Sequence, residues 1–111
     1  MKKFLAMVLS MMLMLTAFSF VLAEETVTIA MWDASQAPGI QQMADKFMEE
    51  NPGIKVVVEC TPWSQYWTSL EANAIAGTMA DIVMMHPESV AQYAQGGMLA
   101  SLDEMCADGT N

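Results

Sequence analysis

Hydrophobic and polar positions alternate, then cycle at helical spacing, then alternate again along most of this chain. Val27, Ile29 and Met31 are separated by Thr28 and Ala30, a two-residue period that predicts a strand over Thr26–Trp32. Ile40, Met43, Ala44, Phe47 and Met48 then recur along one helical face, with Gln41, Gln42, Asp45, Lys46 and Glu49 opposite. Ser35 is placed to cap this helix, and Pro38 and Gly39 fit its first turn. Asn51-Pro52-Gly53 ends it, because proline cannot continue a helix and glycine turns freely. Ile54, Val56, Val57 and Val58 form a β-branched run up to Cys60, the near-continuous pattern of a strand covered on both faces. Thr61-Pro62 opens a second helix with a good cap residue followed by proline. Its apolar face carries Trp63, Tyr66, Trp67, Leu70 and Ala74, and Gly77 stops it. Asp81 precedes a third apolar strand, Ile82 to Met85. His86-Pro87-Glu88 begins a third helix, with Val90, Tyr93, Ala94 and Gly97 on one side and Glu88 near the positive end of the helix dipole. Met98, Leu99 and Leu102 resume an apolar pattern, and Cys106 to Asn111 contain no closing element.

Strands alternating with helices predict an α/β fold with parallel strands joined by right-handed crossovers. Ligands in such sheets bind beyond the carboxyl ends of the strands. Here those ends are Trp32-Asp33, Thr61-Pro62-Trp63 and His86-Pro87-Glu88, with Tyr66 one turn into its helix. Two tryptophans, two carboxylates and a histidine converging on one edge suit a sugar. Aromatic faces stack on apolar C–H surfaces, and carboxylates accept hydrogen bonds from hydroxyls. Trp32, Asp33, Trp63, Tyr66, His86 and Glu88 are therefore the candidate ligand-binding residues. Plainer roles stay open for each. Trp32 and Trp63 fit a core, Asp33 and Glu88 fit helix starts, and His86 fits a turn before proline. Trp67 is assigned to the core.

The first 23 residues change the picture. Lys2 and Lys3 precede an uncharged apolar run from Phe4 to Leu22, and Val21-Leu22-Ala23 satisfies the small-residue rule for cleavage before Glu24. Residues 1–23 thus read as a secretory signal peptide, the alternative being an uncleaved membrane anchor. Once they are removed, Lys46 and Lys55 face all 13 acidic residues, a formal charge of −11, and there is no arginine. Such a chain excludes nucleic acid as a partner, since phosphate contacts need a basic patch. It also leaves no electrostatic route to an anionic membrane surface. Export permits a Cys60–Cys106 disulfide, but two separate thiols are the default. Eight methionines lie beyond residue 23, most of them on expected core faces, where a thioether fills gaps better than it marks a copper site. No metal site or cofactor is expected. A nucleophile elbow, a phosphate loop and HExxH are all absent from the sequence, so the chain does not read as an enzyme.

Four stretches in order carry a family resemblance. They are Val27-Thr28-Ile29-Ala30-Met31-Trp32-Asp33, Phe47 through Asn51-Pro52-Gly53-Ile54-Lys55-Val56, Ala76-Gly77-Thr78-Met79-Ala80-Asp81-Ile82-Val83, and Tyr93-Ala94-Gln95-Gly96-Gly97-Met98-Leu99 with Leu102-Asp103. Together they resemble the extracellular solute-binding proteins of ABC importers, in the group that binds mono- and oligosaccharides. The resemblance implies a partial Rossmann-like lobe of a type II periplasmic-binding fold, with residues 24–111 as the N-terminal part of the first lobe. It implies a small-molecule sugar ligand, permease subunits as partners, and an exported protein that meets the membrane only through the permease. It also places ligand contacts at Trp32 and Asp33, at Trp63 and Tyr66, and at Met85, His86 and Glu88. Ala80 stands where the family usually has proline, and no cysteine occupies the cleavage site to carry a lipid anchor. Family members are several times longer and have two lobes, so this chain reads as half of a cleft. Two other readings stay open: a small secreted interaction module complete as it stands, and a fragment of an exported carbohydrate-active enzyme using Asp33 and Glu88.

Overall fold

The computed structural model describes residues 24–107 and Gly109, so the expected signal peptide lies outside the described residues. Three parallel strands form one sheet: β1 (Glu25–Met31), β2 (Ile54–Cys60) and β3 (Ile82–Val83), in the order β2-β1-β3. β1 pairs with β2 along its whole length, from Glu25 opposite Ile54 to Met31 opposite Cys60. On its other side Ile29 and Ala30 pair with Ile82 and Val83. Four helices follow or connect the strands: α1 (Ala37–Glu50), α2 (Trp63–Ala76), α3 (Pro87–Gln95) and the short α4 (Asp103–Cys106). Because β2 and β3 flank β1 on opposite sides, crossovers of one hand send α1 and α2 to opposite faces of the sheet.

Strand alternation sorts the side chains. Val27, Ile29, Ile54, Val56 and Ile82 lie beside α1 residues, and Met31, Ala44 and Val56 are buried. Ala30, Trp32 and Val83 pack on the other face around Tyr66, Leu70 and Tyr93. The Tyr66 hydroxyl ties this layer together. Its one proton goes to the Met84 carbonyl at 2.6 Å, with the Ala30 carbonyl a more distant acceptor at 3.3 Å. Burial pushes this phenol up to about 12, with nearby Tyr93 adding to the shift.

Several sequence expectations need correction. Ser35 does not cap α1. Its backbone and hydroxyl both donate to Asp33 Oδ1, and Gln36 occupies the cap position without a side-chain bond. Thr61 does not cap α2 either. Its amide extends the β2 ladder to Met31 O, and Pro62 precedes the helix. β2 is not covered on both faces: Val56 is buried, but Lys55, Glu59 and Cys60 are exposed, as befits a strand at the sheet edge. β3 is shorter than expected, although Met84 N still bonds Ala30 O. Met43, Met98 and Met105 are exposed rather than core residues. α4 was not anticipated, because four residues are too few to show a period. Gly77 stops α2 as expected, at φ 70°, a left-handed conformation that glycine adopts without steric penalty. Cys60 and Cys106 are free, exposed thiols.

The carboxyl edge of the sheet as a candidate binding site

Three parallel strands deliver their following loops to one edge, and the loops bring aromatic rings together. Trp32 leaves β1, Trp63 and Trp67 belong to the first turns of α2, and His86 precedes α3. Trp32 lies 5.1 Å from Trp63 and 5.1 Å from Tyr66, centre to centre. Trp67 sits 5.6 Å from Trp32, 5.4 Å from Trp63 and 5.3 Å from Tyr66. His86 stands edge-on to Trp63 at 5.7 Å. Most of these pairs are T-shaped, which sets the positive edge of one ring against the electron-rich face of another. Each such pair adds about 0.5–1.5 kcal/mol beyond simple burial, so the cluster holds itself in place.

The predicted residues separate into three kinds. Trp63 is 49% exposed and forms the accessible aromatic surface of the edge. Trp32 is half-buried beneath it, packed against the core. Tyr66, expected to reach the edge, is 3% exposed, and its hydroxyl is committed to two backbone carbonyls. Residue 66 lies on the same face of α2 one turn deeper along the helix, which carries its ring over the sheet and away from the edge.

The polar members are likewise engaged. Asp33 accepts from Ser35 N at 2.9 Å, Ser35 Oγ at 2.6 Å and Gln36 Nε2 at 2.7 Å. The two Ser35 bonds and then Gln36 hold its carboxyl below the usual aspartate value. Its backbone carbonyl also accepts from Gln36 and Ala37. Asp33 therefore shapes the turn that launches α1 and has little acceptor capacity left for a ligand. His86 Nδ1 accepts from Glu88 N at 3.4 Å, capping α3, and lies 3.9 Å from Glu88 Oε2. Glu88 is almost fully exposed. Among the described residues, no group of three or more His, Cys, Asp or Glu is arranged to hold a metal ion.

Sequence reasoning missed two features. Trp67 packs against the core as assigned, but it also joins the edge by linking Trp32, Trp63 and Tyr93, and its Nε1 is buried with no hydrogen-bond partner among the described residues. The spacing of residues 63 and 67, one turn apart on a helix, was the available signal. The second is a clamp below the edge. Asp81 Oδ2 accepts from Thr28 N and Thr28 Oγ1, both at 2.8 Å, and Asp81 N donates back to Thr28 Oγ1 at 3.1 Å. Local sequence holds no trace of it, since 53 positions separate the partners.

The sequence profile of the bacterial extracellular solute-binding protein family matches residues 33–110, which include every residue of the edge except Trp32. The chain belongs to this family. Proteins provisionally named as binding proteins in Brucella abortus (strain 2308) and Brucella suis biovar 1 (strain 1330) are each 30% identical to it over 80 residues. Those alignments cover 72% of this chain and 20% of each relative. The crystal structure of M. tuberculosis UspC matches with a TM-score of 0.61 at 25% identity, over 69% of this chain and 20% of that one. The chain thus spans about a fifth of the length of the relatives it matches. Its three-stranded parallel sheet is part of a periplasmic-binding fold, the fold class that the sequence implies.

Proposed function

We propose that residues 24–111 form part of the first lobe of a solute-binding protein, and that the carboxyl edge of its sheet is one wall of a carbohydrate site. The intact protein would be exported and would deliver its solute to the permease subunits of an ABC-type importer. Family membership supports solute binding and export. The observation that carries the carbohydrate reading is Trp63, a half-exposed indole held by Trp32, Trp67 and His86 at the edge where open α/β sheets take ligands. A fixed aromatic surface suits the apolar face of a sugar ring, and the engaged Asp33 makes polar recognition here lighter than the sequence implied. No arginine is present in this part of the protein to pair with a phosphate, which argues against a phosphorylated solute.

One wall alone binds weakly. Calorimetric titration of the chain with neutral mono- and oligosaccharides is expected to give dissociation constants of about a millimolar or weaker, lost in Trp63→Ala. Binding that is micromolar or tighter would show that one lobe suffices and would reject the half-cleft reading. Saccharide binding unchanged by Trp63→Ala would place the site elsewhere.

A further inference from the structure

We infer that the apolar groove beside α1 receives a helix from a later part of the same protein, one whose chain steps back across the sheet towards β3. The inference rests on reading residues 24–111 as part of a larger lobe and is independent of the carbohydrate site. The groove has a volume of about 450 Å³, and Ile29, Met43, Phe47 and Ile82 are among its walls. Met43 is 62% exposed and Ile82 52%. Size sets the kind of occupant. A helix with its side chains is about 10 Å across and strands lie about 4.8 Å apart, so one helix covers about two strands. α1 sits chiefly on β2, so the same face has room for one more helix over β3 and a strand beyond it.

Topology gives the origin of that helix. The step from β1 to β2 runs one way across the sheet and places α1 on one face. The step from β2 to β3 runs the other way and places α2 on the opposite face. α3 follows β3 and packs on the α2 side, where Tyr93 joins Tyr66 and Leu70. That is the side required by a further step outward, so the chain is heading past the free edge of β3. No outward step fills the groove, which lies on the other face. A right-handed crossover reaches it only by stepping inward, from a strand farther out back towards β3. The occupant therefore follows at least one further strand beyond α3. The relatives have room for it, since this chain spans about a fifth of their length. Other occupants fit less well. The apolar leader is removed by the expected cleavage before Glu24, and a second copy would press one strongly acidic chain against another.

The test is cysteine reactivity in the 111-residue chain and in the product of the same reading frame continued past codon 111. Both carry Cys60→Ser and Cys106→Ser, with one new thiol at a time: Met43→Cys or Ile82→Cys in the groove, or Glu49→Cys on the exposed side of α1. Alkylation by iodoacetamide is expected to be about tenfold or more slower at both groove positions in the longer protein, and to change less than about twofold at Glu49→Cys. A benzophenone attached at Met43→Cys should cross-link to residues beyond 111 that recur at about the 3.6-residue period of a helix. Groove positions that react equally in both proteins overturn the inference. So does a stop codon after Asn111, or cross-links at a two-residue period. So does protection already present in the 111-residue chain that is lost on removing residues 1–23 or on dilution. No solute enters the experiment, so its outcome and that of saccharide binding at the aromatic edge are read separately.

Discussion

The two faces of the sheet are covered on opposite halves. On one face α1 packs chiefly on β2, burying Met31, Ala44 and Val56, and leaves the β3 side open. On the other, α2 and α3 cover β1 and β3, and the β2 side is open. The uncovered halves differ in chemistry. The one beside α1 is an apolar groove of about 450 Å³ lined by Ile29, Met43, Phe47 and Ile82. The one beside α2 is a smaller hollow of about 200 Å³, walled by Thr28, Glu59, Thr61, Ser69, Asn73 and Thr78. Water satisfies the polar hollow at no cost. Against the groove it leaves Phe47 45% and Ile82 52% exposed, an apolar surface open to solvent. The α2 face is the half that carries the aromatic edge.

The sharpest way to break this contrast is to truncate one large ring on each face. Tyr66→Ala removes the centre of the covered face and should cost about 3–5 kcal/mol, enough to abolish a cooperative melt in so small a domain. Phe47→Ala on the open face should cost only about 1 kcal/mol, because half of its surface is already wet. Equal losses in thermal denaturation followed by circular dichroism would refute the asymmetry.

A milder change sharpens it. Tyr66→Phe keeps the ring but takes the phenol donor from the Met84 carbonyl, while Ala30 O keeps its bond from Met84 N, an expected loss of about 1–3 kcal/mol. It should also alter the alkaline limb of stability. The Tyr66 phenol is raised in the folded state to about 12 from 10.0, so its contribution is fully present below pH 10 and lost as pH rises towards 12. Denaturant melts between pH 9 and 12 should therefore fall less steeply in Tyr66→Phe.

The groove itself is read by dye. The chain should enhance the fluorescence of anilinonaphthalene sulfonate while fully folded, and Met43→Gln with Phe47→Gln should remove most of that signal. Persistence of the signal in the double variant would move the apolar surface elsewhere.

The smallest effect lies in acid. Asp33 is held low by its Ser35 and Gln36 bonds, and Asp81 is held low by its bonds from Thr28. Depressed carboxylates add stability above their unfolded value of 3.8 and lose it as pH falls through the lower folded values. Asp33→Asn and Asp81→Asn should each flatten the loss of stability below about pH 4 in acid titrations followed by circular dichroism.

The parts legible in the sequence were those set by local repetition. Val27-Ile29-Met31 and Ile40-Met43-Phe47 carry their periods in their spacing, and Gly77 marks its own helix end, so element order and fold class followed. The convergence of Trp32, Trp63 and His86 followed from topology alone, because parallel strands share a carboxyl edge. Side-chain commitments were not legible. Whether Ser35 caps a helix or serves Asp33, and whether Thr61 caps or extends a ladder, depends on which partner competes for the same atoms. The Thr28–Asp81 clamp and the Tyr66 bridge join residues far apart in sequence, and no window on the chain contains both ends.

All three tryptophans of the protein stand within one cluster, at centre-to-centre distances of 5.1 to 5.6 Å. At that range the indoles behave optically as one unit. Excitation absorbed by any of them is shared, and their transitions couple in the near-ultraviolet dichroism. The molecule therefore reports spectroscopically on its carboxyl edge, through exposed Trp63, and on the core against which Trp32 and Trp67 pack.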